Sequence, residues 1–254
     1  MKKNMLYIKK YSGFIISIVI GLLLYEEANY AYTYRTATAY SDHMIYRLIL
    51  SMGSGSSGWN GILFPILAAL PMGISYVREY RSGYLKLRLQ KMSRKRYVAV
   101  TLIQNAILGG LGLLIPYAVY CLHLYFQYGT KAYLNIKEGE TVIMFYPKLA
   151  ASNTIAYVCL LGAFVLLAGV TFATFAIGIS AWIKNTFLTL ILPFVICIAM
   201  AILIPDNRFD LLLIFAPNGY AWASVPIILI MSGILILTGI ILFAVGVKKE
   251  YVKL

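Results

Sequence analysis

Long apolar runs separated by short polar segments dominate this chain, and six of the runs approach or exceed the length that crosses a bilayer. About 20 residues of helix span the hydrocarbon core. The runs are 11–25, 59–77, 98–126, 154–183, 186–204 and 224–247, and their central parts contain no Asp, Glu, Lys or Arg. The first is short, but Lys9 and Lys10 precede it and their stems can snorkel to the interface. Pro65 and Pro71 interrupt the second. Membrane helices tolerate proline where neighbours satisfy the freed backbone groups. Leu211–Ala216 is apolar but too short to cross, and Pro217-Asn218-Gly219 follows it. It reads as a re-entrant or interfacial element before the last span. The pattern predicts an all-α integral membrane protein of about six transmembrane helices, with one transmembrane domain over residues 1–254.

Composition strengthens this reading. The 254 residues are 61% hydrophobic and 12% charged, against about 25% charged in a soluble domain. Those values also exclude a disordered chain. A net charge of +13 in a soluble protein would point to nucleic acid. Here the basic residues lie between apolar runs, so they read as topology determinants, and no nucleic-acid partner is expected.

Charge then sets the orientation. With the amino terminus inside, 16 of the 22 Lys and Arg fall on cytoplasmic segments, while seven of the nine Asp and Glu fall outside. The positive-inside rule therefore places both termini in the cytoplasm and favours an even number of spans. The lysine-rich start, the apolar run and Ala37-Thr38-Ala39 imitate a signal peptide. The alanine pair lies far beyond the run and five more spans follow, so the segment reads as a retained span. Tyr25, Tyr30, Tyr32, Tyr34, Trp59, Trp182 and Trp222 cluster near the predicted interfaces as an aromatic belt. Cys121, Cys159 and Cys197 have neither disulfide nor zinc spacing and read as small buried apolar residues.

The segment with most chemistry lies between the second and third spans, from Arg78 to Tyr97. Leu85, Leu89 and Met92 share one face if it is helical, with Lys86, Arg88 and Lys91 beside it and Ser82 as a candidate cap. Leu85, Leu87 and Leu89 also alternate like a strand, but a lone edge strand at the bilayer surface is the poorer solution. Two roles suit such a helix. It is a basic loop that holds anionic headgroups, or it docks onto a cytoplasmic partner. Glu79 is the only acidic residue in the loop, and a pairing with Arg78, Arg81 or a partner's arginine is expected.

The arrangement resembles the permease subunit of type-2 ATP-binding-cassette exporters. That family has a basic loop after its second span with an acidic residue, a glycine four residues later, an amphipathic run, then Ser-Arg and an aromatic. Glu79, Gly83, Ser93-Arg94 and Tyr97 follow the pattern. The 178–185 junction resembles the family's short inner turn, and Phe215-Ala216-Pro217 its outer re-entrant segment. Met92 stands where many members carry proline, and the start of the third span around Thr101 lacks their early lysine.

The resemblance implies a bacterial cytoplasmic-membrane protein that is not itself an enzyme. It would work with separate ATPase subunits and a second permease, identical or paralogous, and export a hydrophobic or amphipathic substrate such as a peptide or drug. ATP and magnesium would sit on the ATPase, because this chain has no G-x-x-x-x-G-K-[ST] loop and no cofactor of its own is expected. The residues assigned to coupling are Glu79, Arg81, Gly83, Leu85, Leu89, Met92 and Arg94.

Other motifs weigh less. Gly55-Ser56-Ser57-Gly58 matches an intramembrane serine-protease pattern, but the only histidines are His43 and His123, both near outer ends. Glu26-Glu27 lacks the arginine and histidines of the CAAX-type proteases, and no metal-ligand cluster is apparent. Gln104 and Asn105 in the third span read as helix-packing amides or pathway residues. Gly109, Gly110, Gly112 and Gly169-x-x-x-Ala173 allow close helix packing, within the subunit or across a dimer. The alternative class is a secondary transporter or membrane enzyme without an ATPase. Ion-coupled carriers usually need an ionisable group in the membrane, which these spans lack at their centres.

Overall fold

Helix propensity and caps divide the chain much as the apolar runs do. The computed structural model describes residues 2–35, 44–52, 59–129, 146–204, 211 and 225–252, and among them all regular structure is helical. The helices are α1 (Lys2–Arg35), α2 (Met44–Met52), α3 (Asn60–Ala69), α4 (Ser75–Arg81), α5 (Tyr84–Lys91), α6 (Arg94–Tyr128), α7 (Pro147–Ser152), α8 (Thr154–Ser180), α9 (Thr186–Leu203) and α10 (Val225–Tyr251). Three long helices start on side-chain caps. Ser93 Oγ accepts from Arg96 N, Asn153 Oδ1 from Ala156 N, and Asn185 Oδ1 from Phe187 N and Leu188 N. Each cap satisfies amides that have no partner within the helix.

Five helical stretches are long and apolar enough to cross a membrane: Ser12–Tyr30, Arg94–Tyr128, Thr154–Ser180, Thr186–Leu203 and Val225–Tyr251. The protein is a multi-pass membrane protein. Large apolar side chains point away from the bundle along these helices, among them Ile15, Leu23, Ile107, Phe187, Ile202, Ile230 and Ile241. Water would leave such a surface prone to aggregation, whereas lipid solvates it.

The expected second span, 59–77, is not one continuous helix. It divides into α3 and α4, with turns over residues 70–74. Pro71 has no N–H to give the carbonyl of Leu67. Ser17 in α1 replaces that donor, its Oγ donating to Leu67 O at 2.9 Å. Gly13, one turn earlier, lets α1 approach the break: a Cβ there would lie 2.2 Å from Leu70 O. The broken helix is thus stitched to α1 by a hydroxyl and a bare backbone. Ser17→Ala should leave Leu67 O buried and without this donor. The expected loss is about 1–3 kcal/mol, read as a lower midpoint of thermal unfolding in detergent. An unchanged midpoint would show that the break needs no such stitch.

Small residues set the centre of the bundle, where α8 packs between α6 and α10. A Cβ on Gly169 would meet Gly109 O at 2.6 Å, and one on Gly178 would meet Gly239 O at 2.6 Å. The glycine and alanine positions of α6 and α8 therefore serve packing within this chain. Around them lies a large core that includes Tyr25, Leu113, Tyr117, Tyr120, Leu161, Phe164 and Phe172. A second, smaller core gathers Tyr76, Leu85, Leu89, Tyr97, Ile177, Ala181, Phe243 and Val247 at the α5 end.

Two sequence expectations are corrected. Tyr25 is buried, stacked on Tyr120 with centroids 4.9 Å apart, and is not part of an interfacial belt. Cys159 is exposed, while Cys121 and Cys197 are buried. The short helices α2 and α7 were not anticipated. Apart from Leu211, the element expected at 211–216 and the Pro217-Asn218-Gly219 after it lie outside the described residues, as do the Gly55–Gly58 motif and Ala37–Ala39.

Candidate functional site

The polar chemistry concentrates where α4, α5 and the start of α6 meet the α8–α9 turn and the end of α10. Helix α5 begins after Gly83, whose φ of 72° puts it in the left-handed region, where a side chain is costly. No heavy atom lies within 4 Å of a Cβ built on Gly83, so its role is the turn and not a close approach. Ser82 does not occupy the N-cap position. Its Oγ donates to Glu79 O at 3.2 Å and accepts from Tyr84 N at 3.4 Å, which tightens the same turn.

Helix α5 is amphipathic as expected, but its Leu85 and Leu89 face turns into the chain's own core. Both are 3% exposed and belong to the cluster with Tyr76, Tyr97 and Phe243; Met92 packs against it half-buried. The solvent-facing side instead carries Tyr84, Leu87 and Lys91, with Lys86 and Gln90 beside them. Periodicity finds an apolar face without saying what covers it.

Glu79 ties this element down. Its Oε1 pairs with Arg88 Nη1, and its Oε2 accepts from Tyr97 Oη at 2.9 Å. The Arg88 guanidinium also lies 5.0 Å above the Tyr97 ring. The expected pairing with Arg78 or Arg81 is replaced by Arg88, one helix further on. A charge-assisted pair needs the two groups to meet in space, and the turn at Gly83 folds α5 back towards α4 to bring them together. Glu79→Gln should cost about 1 kcal/mol in this partly exposed network. It should also speed amide hydrogen exchange in α5 while α8 stays protected. Equal exchange in α5 before and after the change would show that Glu79 does not hold the helix.

A second network anchors α4 to the neighbouring turn. Arg81 Nη2 and Nε donate to Lys184 O at 2.7 and 3.2 Å. Lys184 Nζ donates to Ala181 O at 2.7 Å, lies 3.7 Å from Glu250 Oε1, and sits 4.5 Å from the Tyr76 centroid and 4.3 Å from that of Tyr80. Trp182 Nε1 donates to Leu242 O at 2.9 Å. The contacts of Lys184 and Glu250 were not foreseen. They are far apart in sequence, and nothing in the local pattern links the basic Lys184 to the acidic Glu250. Arg94 lies in the first turn of α6 and is half-buried.

The two amides of α6 differ. Gln104 is exposed. Asn105 is fully buried, with neither amide atom hydrogen-bonded, and Thr101 Oγ1 one turn earlier is likewise buried and unpartnered. At the opposite end of the bundle Arg47 of α2 is 5% exposed, its Nη1 donating to Asn29 Oδ1 at 2.8 Å and its guanidinium 4.6 Å above the Tyr128 ring. Arg47 lies between the first two predicted spans, where its position in the sequence marks it only as a loop charge. Among the described residues no group of three or more His, Cys, Asp or Glu side chains is placed to hold a metal.

No protein-family model, curated protein or solved structure matches the chain.

Proposed function

We propose that this chain is the membrane-spanning permease subunit of an ATP-driven exporter, resembling the type-2 ATP-binding-cassette family, with ATP hydrolysis on separate subunits. The observation that carries the reading is the junction just described. A short helix, α5, presents Tyr84, Leu87 and Lys91 to solvent and buries Leu85 and Leu89 in its own bundle. Arg88 ties it to Glu79 of α4 and lies over Tyr97 of α6, while Arg81 and Lys184 anchor α4 to the α8–α9 turn. Force applied to α5 would therefore reach several spans together, which a rigid-body mechanism requires. A loose headgroup-binding loop would need no such fastening.

In this reading α3 and α4 form one broken span, giving six, with both termini and α5 in the cytoplasm of a bacterial cell. The permease pairs with a second copy or a paralogue, and its substrate is hydrophobic or amphipathic. Extraction from the native host in mild detergent should retain an ATPase with this chain, seen by native mass spectrometry. Recovery of the chain alone under those conditions would count heavily against the proposal. The topology has its own check. In a background without Cys121, Cys159 and Cys197, a cysteine at Lys137 should react with an impermeant thiol reagent in intact cells, and one at Lys253 should react only after lysis.

A further inference from the structure

Along one face of α6, at four-residue intervals, stand Tyr97, Thr101, Asn105 and Gly109, all of them buried. The first is held: Tyr97 Oη donates to Glu79 Oε2 at 2.9 Å, at the α5 end of the bundle. The next two are not. Thr101 Oγ1 and both amide atoms of Asn105 have no hydrogen-bond partner, and the packing closes all three to water. From Tyr97 to Asn105 this polar track runs about 12 Å into the bundle.

The track stops at a seal. A Cβ on Gly109 would run into Ala173 and lie 3.0 Å from Gly169 O and 3.2 Å from Ala68 O, so α3, α6 and α8 close together there. The α3–α4 break forms one wall beside the track. A Cβ on Gly73, within the break, would sit 3.3 Å from the Cβ of Ala176, on the next turn of α8 after Ala173.

An amide buried with no partner costs more free energy than an apolar side chain in the same place. Parting this seam exposes apolar surface, but it also lets water meet three unmatched polar atoms, which offsets part of that loss. The glycine contacts Gly109–Gly169 and Gly178–Gly239 have no polar side chain to hydrate and gain nothing by parting. The break keeps the motion local. Turns replace the helical ladder over residues 70–74, so α4 can shift while α3 stays fixed to α1 through Ser17. The Arg81 bonds to Lys184 O are exposed, so water can take their place as α4 moves. We propose that the seam between α6, α8 and the break opens from the α5 end as a blind inlet for water, with Thr101 and Asn105 binding the water and Gly109 closing its far end.

The test uses the full chain in lipid nanodiscs, labelled by hydroxyl radicals and read by mass spectrometry. Met72 lies in the break, 8% exposed, and is a native reporter of water there; Met52 of α2, 0% exposed, is the control. Thr101→Val exchanges the hydroxyl for a methyl at nearly constant size, and Asn105→Leu exchanges the amide for two methyls. In each variant oxidation of Met72 should fall at least about fivefold, the effect of one unmet buried polar group, while Met52 is unchanged. The midpoint of thermal unfolding should rise in both. Where Asn105→Leu is too bulky to fold, Thr101→Val carries both readings by itself. Equal oxidation of Met72 in Thr101→Val and the unmodified chain would overturn the proposal. So would a lower midpoint in Thr101→Val, since the hydroxyl would then already have a partner in the closed bundle.

Discussion

Gly169→Leu is expected to abolish most of the folded protein recovered in detergent. A Cβ at this position would lie 2.6 Å from Gly109 O and 2.7 Å from Gly110 Cα. The obstacle is backbone, which cannot change rotamer as a side chain can. Relief requires α6 and α8 to separate, and that contact is the most extensive in the bundle. Overpacking a core typically costs about 1–3 kcal/mol and sometimes more. Here the loss should lie at or beyond the upper end, because helix association in a membrane relies on close packing with little hydrophobic drive between helices. Gly233 supplies the control, since a Cβ there meets no heavy atom within 4 Å. Gly233→Leu should elute and melt like the unmodified protein. If Gly169→Leu behaves as well as Gly233→Leu in fluorescence-detected size exclusion and thermal melting, the described approach of α6 to α8 is wrong.

The second large effect separates two leucines two residues apart. Leu85→Asp places a carboxylate in the core with Tyr76, Tyr97 and Phe243, where Leu85 is 3% exposed. Burial of an unpaired charge is among the few single changes that cost several kcal/mol. The variant should lose stability in the isolated subunit, whether or not a partner is present. Leu87 is 54% exposed, so Leu87→Asp should leave the subunit as stable as before. If α5 is the docking element, that same change should weaken association with the ATPase about tenfold or more, as expected when a charge enters the apolar centre of an interface. Charge reversal at Lys86 and Lys91 tests the competing role of holding anionic headgroups. Normal ATPase association in Leu87→Asp, together with loss of membrane-dependent activity in the charge-reversed variant, would move α5 from coupling to lipid anchoring.

Helical membrane character follows from length and polarity alone, because a backbone in hydrocarbon must satisfy its own hydrogen bonds. That constraint made α6, α8, α9 and α10 legible to within about four residues at each end, although the caps Ser93, Asn153 and Asn185 were not read from the sequence. Lys9 and Lys10 precede the apolar stretch that begins at Ser12 but do not end its helix: α1 runs from Lys2 to Arg35, since charged residues near an interface do not interrupt a helix. The glycines of α6 and α8 were likewise readable as a packing stripe. Which helix fills such a stripe is a property of the assembled bundle, and α6 and α8 fill each other's. The amphipathic run at 84–91 was readable as a helix, but the orientation of its apolar face was not. Periodicity assigns a face, while the neighbouring surface decides whether that face is buried within the chain or offered to a partner. The turn at Gly83 and the contacts of Glu79 settled that for Leu85 and Leu89. Arg47, Lys184 and Ser17 show the same limit. Each acts through a group at least 18 residues away in sequence, and a contact over that separation depends on how the helices pack. Composition and spacing thus determined the phase in which this chain folds and where its helices begin. Tertiary structure decided which polar groups meet, because packing can place almost any pair of faces together.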